Sequence, residues 1–128
     1  MILENNEILK KVEELIYQND LEGFKEFINT LEDVNIQEKY GWTPLHLAIR
    51  RGRMEMVKFL IEERDADINI QDKAGWTPLM EAIMDDYAEI AKYLVEKGAD
   101  LSIANERGAT APMLAQKFGR TSMYDFLI

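Results

Sequence analysis

Gly41-Trp42-Thr43-Pro44-Leu45 returns as Gly75-Trp76-Thr77-Pro78-Leu79, and a degraded copy, Gly108-Ala109-Thr110-Ala111-Pro112, follows. The first two copies begin 34 residues apart, the second and third 33 apart. Self-similarity at such a period marks a chain built from stacked supersecondary units. Counting back by the same interval from Gly41 reaches Ile8, where the turn motif is missing but helix-patterned residues remain. The stretches before each glycine echo as well: Val34-Asn35-Ile36-Gln37, Ile68-Asn69-Ile70-Gln71 and Leu101-Ser102-Ile103-Ala104. One unit is a residue longer than the next, because Arg64-Asp65 stands where the next has Gly98 alone.

Each unit has readable local physics. Thr43 and Thr77 suit the N-cap position, where a hydroxyl answers an unpaired helix N–H, and Pro44 and Pro78 suit the first helical position. A short apolar-faced helix follows, carrying Leu45, Ala48 and Ile49, then Leu79, Ala82 and Ile83. It ends at Asn19, Gly52, Asp86 and Gly119 in successive units, residue types that tolerate the left-handed conformation of a tight helix–helix turn. A second helix shows apolar periodicity through Leu21, Phe24, Phe27 and Ile28; Met54, Val57, Leu60 and Ile61; and Ala88, Ala91, Leu94 and Val95. Neither helix hides its apolar face alone; stacked neighbours do.

Thr43-Pro44-Leu45-His46 and Lys97-Gly98-Ala99-Asp100, at this period, resemble ankyrin repeats. The resemblance implies an all-α solenoid with short β-hairpin turns. It covers residues 1–128 as one domain of four stacked repeats, at about 5–37, 38–71, 72–104 and 105–128. Departures exist: His46 is replaced by Met80 and then Met113, the last proline slips to Pro112, and the first repeat lacks the motif. The ends read as caps. Glu7, Lys10, Lys11 and Glu14 supply an outer polar face to the first helix, and Gln116 and Thr121 replace Ile83 and Ala88.

Composition narrows the function. With 24 acidic and 15 basic side chains the net charge is −9, which opposes nucleic acid and anionic membranes. No cysteine and a single histidine leave no disulfide framework, thiol nucleophile or transition-metal cluster, so neither metal nor cofactor is implied. No leader or membrane-spanning run is apparent, and the cytoplasm is the default location. By repeat, residues 1–40 carry −6, 41–74 zero, 75–107 −4 and 108–128 +1.

Catalysis is the weakest reading. His46 has no evident nucleophile or orienting partner, and in the resembled family this histidine ties neighbouring turns together. Asp85-Asp86 is a poor carboxylate pair, since Asp86 already has a conformational task. Arg50-Arg51-Gly52-Arg53 reads either as a solvated helix end complementing the dipole or as a site for an acidic partner segment. Asn35 and Asn69 sit where asparaginyl hydroxylases modify some ankyrin proteins; the plainer reading is a side chain bonding across its own hairpin.

Partners of this family dock on the concave side, formed by hairpin tips and the inner face and end of the first helix. The resemblance carries that surface onto Tyr17, Lys39, Tyr40, Trp42, Arg50 and Arg51, and onto Lys73, Trp76, Met84, Asp85, Arg107, Lys117 and Phe118. Trp42 and Trp76 are predicted to stand in register on adjacent hairpins. Either tryptophan also serves simply by covering its neighbour's hairpin; one ring can do both. The sequence thus predicts a monomeric, non-enzymatic adaptor or scaffold binding a partner protein of basic or mixed surface charge. Two rivals are a dedicated inhibitor or immunity-type protein masking one enzyme, and an engineered or structural scaffold without a natural partner.

Overall fold

Thr43 caps the helix it precedes. In the computed structural model, which describes residues 4–128, its hydroxyl accepts the His46 N–H at 3.3 Å, and Pro44 opens the helix. Thr77 does the same for Met80 N–H at 3.2 Å. Thr110, in the degraded copy, makes no such side-chain bond. The elements run α1 (Asn5–Tyr17), α2 (Leu21–Ile28), α3 (Pro44–Arg50) and α4 (Met54–Lys58), which continues as a π-helical stretch, Phe59–Glu63. Then come α5 (Pro78–Met84), α6 (Ala88–Glu96), α7 (Ala111–Lys117), a 3₁₀ turn (Thr121–Met123) and α8 (Tyr124–Leu127). No strand occurs among the described residues. The hairpin turns are tips, each closed by a backbone bond: Glu38 N–H to Trp42 O at 3.0 Å, Asp72 N–H to Trp76 O at 2.9 Å, and Asn105 N–H to Ala109 O at 2.9 Å.

Two compact units divide after Asp67. In the first, α1 packs on α2 and α3, and α2 on α4; Val12, Ile16, Phe24, Ile28, Ile49 and Val57 are wholly buried. In the second, α5 packs on α6 and α7, and α6 on the 3₁₀ turn; Ala82, Ile83, Ala91, Leu94, Ala115 and Met123 are wholly buried. Burying one such large side chain stabilises by about 1.5–3 kcal/mol, so the helix faces named by their periodicity hold each unit together. Residues at the rim of those faces, Leu21, Phe27, Met54, Ile61, Ala88 and Val95, are half-buried. The outer face of α1 is exposed at Glu7, Lys10, Lys11 and Glu14, as are Met113, Gln116 and Thr121 in the last helix pair.

The helix–helix turns take the left-handed backbone at the four expected places: Asn19 (φ 56°), Gly52 (68°), Asp86 (61°) and Gly119 (65°). A tip glycine, Gly75, is required for a second reason. At φ +82° a Cβ there would lie 2.8 Å from Glu106 N and 2.9 Å from Asn105 Cα, where Glu106 N–H donates to Ala74 O at 3.0 Å.

The extra residue at Arg64-Asp65 has a structural address. Over Phe59–Glu63 the helix loosens from α to π, which absorbs one residue. The closing bond survives: Ala66 N–H reaches Leu60 O at 2.9 Å, as Ala99 N–H reaches Leu94 O at 3.0 Å where no residue is inserted. Asp65 (φ 52°) takes the place of Gly98 (φ 95°), and Arg64 gains a task. Its guanidinium donates to Ile28 O and, at 2.7 Å, to Leu31 O, capping the end of α2.

Arginines cap other helix ends in the same way. Arg53 donates to Ile16 O at 3.0 Å and Tyr17 O at 3.2 Å, at the end of α1. Two periods later Arg120 donates to Ile83 O at 2.8 Å and Met84 O at 2.6 Å, at the end of α5. These carbonyls have no partner within their own helix, and a cation there also meets the negative end of the dipole. Amide latches complete the pattern. Asn35 Oδ1 accepts Asp67 N–H and Asn69 Oδ1 accepts Asp100 N–H, both at 2.9 Å. The asparagines therefore bond forward to the following segment of chain, whereas a bond across their own hairpin was the plainer expectation.

Arg53→Ala is expected to cost about 1.5–3 kcal/mol in urea unfolding, the range for charge-assisted hydrogen bonds, and Arg53→Lys a part of that, since an ammonium keeps the charge and one bond but cannot span both carbonyls. No measurable loss in Arg53→Lys would mean the fork geometry is unimportant. Asp100 offers a pH test. Ser102 Oγ–H donates to its Oδ1 at 2.6 Å and Ser102 N–H at 2.8 Å, which holds the carboxyl below the ordinary aspartate value. A carboxyl depressed on folding adds stability above its unfolded pKa and loses it as pH falls through the folded one. NMR titration should show Asp100 rising toward the ordinary value in Ser102→Ala, and an unchanged midpoint would contradict this account.

Candidate partner-binding surface

The tips are shaped by one side chain each. Glu38 Oε1 accepts Tyr40 N–H at 2.7 Å and Trp42 N–H at 3.0 Å. Asp72 Oδ1 accepts Ala74 and Trp76 N–H, both at 2.9 Å, and Asn105 Oδ1 accepts Arg107 and Ala109 N–H, both at 3.0 Å. An acceptor that folds the chain over itself satisfies two backbone donors and fixes where the next side chains stand. Sequence reasoning missed these three residues, although they recur at the repeat interval and were open to discovery on that ground. Gln37 and Gln71 add a second tie, donating to Gly41 O at 2.8 Å and Gly75 O at 2.9 Å.

In the first unit this geometry brings all six sequence-predicted residues into contact with one another or in chain succession. The Lys39 ammonium lies 5.0 Å from the Tyr40 ring centre, and Tyr40 and Trp42 stack obliquely with centres 5.0 Å apart. The Arg50 guanidinium lies 3.9 Å over Trp42, and its chain neighbour Arg51 lies 5.0 Å from the Tyr17 ring. Tyr17 is 66% exposed and Tyr40 52%, whereas Trp42 is half-buried. The tryptophan therefore belongs partly to the scaffold, and the tyrosines offer more free ring. Beside the row lies a groove of about 410 Å³ between α1 and the first tip, with Leu9, Lys10, Glu13, Tyr40, Trp42 and Leu47 in its walls.

The second unit holds the remaining seven. Lys73 and Trp76 stand on its first tip, Trp76 half-buried, and Arg107 stands exposed on its second. Met84, 39% exposed, ends α5, and Asp85 follows it, exposed. Lys117 and Arg120 both approach the Phe118 ring, at 5.9 Å, looser than the Arg50–Trp42 contact.

The basic run 50–53 thus divides into two tasks. Arg50 and Arg51 lie on rings, and Arg53 reads backbone carbonyls. His46 is wholly buried, and its Nδ1 accepts Thr43 N–H at 3.3 Å and sits 2.9 Å from Thr43 Oγ1, closing a capping box at the start of α3. Asp86 pairs with Arg120 at 3.8 Å. Among the described residues no three of His, Asp and Glu gather as metal ligands, and no helix is long and apolar enough to cross a membrane.

A family model of ankyrin repeats (3 copies) matches residues 12–105. The chain belongs to the ankyrin-repeat family, whose repeats are in general protein–protein interaction modules without catalytic activity. It is similar to the human ankyrin repeat domain-containing protein 7, at 42% identity over 57 residues, which are 44% of this chain. That match spans 22% of the human protein's length.

The Arg50–Trp42 contact is measurable in a double-mutant cycle. Arg50→Ala and Trp42→Leu, singly and together, followed by circular dichroism in urea, should yield a coupling of about 0.5–1 kcal/mol. Strict additivity would show that the ring and the guanidinium merely share a surface.

Proposed function

We propose that this chain is a non-enzymatic binding module for another protein, using the tips and first-helix ends in the way its family's concave face is used. Each helix pair counts as one repeat in this reading, and the partner presents a mixed-charge surface with an apolar element. The observation that carries it is the row of cations on rings in the first unit, with Tyr17 and Tyr40 exposed on it and a groove beside Tyr40. Tyrosine, tryptophan and arginine dominate binding hot spots because they bury large rigid area and retain a polar handle. The tips are tied by side-chain and backbone hydrogen bonds before any partner arrives, so little ordering entropy is lost on association. In the second unit, taken by itself, the candidate contact residues are Lys73, Trp76, Met84, Asp85, Arg107, Lys117 and Phe118. No step of chemistry is assigned, because His46 is spent on its own helix start.

The exposed tyrosines give the cleanest test, since truncating them leaves the core intact. Tyr17→Ala with Tyr40→Ala should change unfolding free energy by no more than about 0.5 kcal/mol. Affinity for a partner isolated from the native host should fall about tenfold or more, the weight of one hot-spot residue or two lesser ones. Full affinity in the double variant would place the binding face elsewhere.

A further inference from the structure

The order of the row in the first unit says more than that a protein binds there. Followed through its contacts it runs Lys39, Tyr40, Trp42, Arg50, Arg51, Tyr17, with cations at both ends of the Tyr40–Trp42 pair and a third against Tyr17. Among the described residues, Lys39 and Arg51 meet rings, Tyr40 and Tyr17, rather than carboxylates. A ring beneath a cation orients it without neutralising it, so its charge remains directed at whatever lies above. Lys10 adds a further cation in the groove wall. The acids lining the groove are Glu13 and Glu38, and one carboxylate oxygen of Glu38 already accepts two backbone N–H groups. A chain of net charge −9 therefore carries three exposed cations among the three aromatic rings of this row, and a fourth, Lys10, in the groove beside it.

We propose that this row takes an acidic peptide segment of the partner, in which carboxylate and apolar side chains alternate. The proposal rests on the binding-face reading above and adds the chemistry of what docks there. Carboxylates would meet Lys39 and Arg51, with the guanidinium able to engage a carboxylate through two N–H donors. Apolar side chains would lie on Tyr40, Tyr17 and the free edge of Trp42 in the groove wall. An extended segment presents such alternation naturally, because successive side chains point to opposite sides. A nucleic acid strand shares the taste for cations and stacked rings but fits less well, since its charged backbone does not alternate with aliphatic side chains and leaves only stacking to offset the whole protein's negative field.

The test uses the full chain and three dye-labelled peptides of equal length, alternating leucine with glutamate, glutamine or lysine, plus an oligothymidylate. Fluorescence anisotropy should show the glutamate peptide binding tightest, with affinity reduced about fivefold or more by Arg50→Gln with Arg51→Gln and reduced again by added salt. Circular dichroism of that variant must match the parent; should it not, Lys39→Gln with Arg51→Gln tests the same charge without the Trp42 contact. Tighter binding of the lysine peptide, equal binding of all three, or preference for the oligothymidylate each overturns the proposal. Equal binding of all three peptides that Tyr17→Ala with Tyr40→Ala abolishes would leave the binding face standing and remove only its acidic preference. Glutamate-peptide binding that neither the tyrosine nor the arginine variants weaken would overturn both.

Discussion

A helix of seven or eight residues leaves more of its backbone polar groups unanswered at its ends than it satisfies within. That constraint governs this molecule, because α2, α3, α5 and α7 are all of that length. The N-terminal donors of α3 and α5 are answered locally, by Thr43 and Thr77. Carbonyls at the C-terminal ends of α1, α2 and α5 are answered by arginines more than thirty residues further on: Arg53, Arg64 and Arg120. Asn35 and Asn69 repeat the device for backbone N–H groups over a similar separation. The units are therefore held by polar reach from one segment of chain to the next as well as by buried apolar faces.

The same reach prepares the surface. Arg53 fastens the end of α1 at Tyr17, whose ring then stands exposed against Arg51. Glu38 folds the tip so that Tyr40 and Trp42 stack. With the backbone tied by neighbouring side chains, the rings and cations of the row are held in place by the scaffold. Trp42 shows how the two roles share one residue: its backbone closes the tip, its half-buried ring supports Tyr40 and Arg50, and the free edge is what remains for a partner.

Features that repeat were readable from the amino-acid order. The threonine caps, the apolar helix faces and the left-handed turns at Asn19, Gly52, Asp86 and Gly119 each depend on a residue's own backbone or on neighbours within a turn. Features that depend on a distant partner were not. Nothing local marks Arg53 as a backbone clamp and Arg50 and Arg51 as ring-bound, because the difference lies in which segment each side chain meets. The extra residue near Arg64 was visible as an insertion, but its accommodation as a π-helical stretch follows from Leu60 and Ala66 keeping their closing bond. Six of the site residues came together in the first unit because tip and helix end are adjacent in every repeat. Their order along the row depends on rotamers and was not encoded in spacing.

Position-specific photocrosslinking tests the central claim most directly. A photoreactive phenylalanine analogue at position 40, on the first tip, is compared with one at position 62, exposed in the π-helical stretch. Irradiated in the native host, the protein labelled at 40 should yield a discrete adduct with another polypeptide, lost when Arg50 and Arg51 are changed to glutamine. The protein labelled at 62 should yield none of that adduct. The same adduct from position 62 but not from 40 would contradict the account, because binding would then lie on a surface that the tips and first-helix ends do not form.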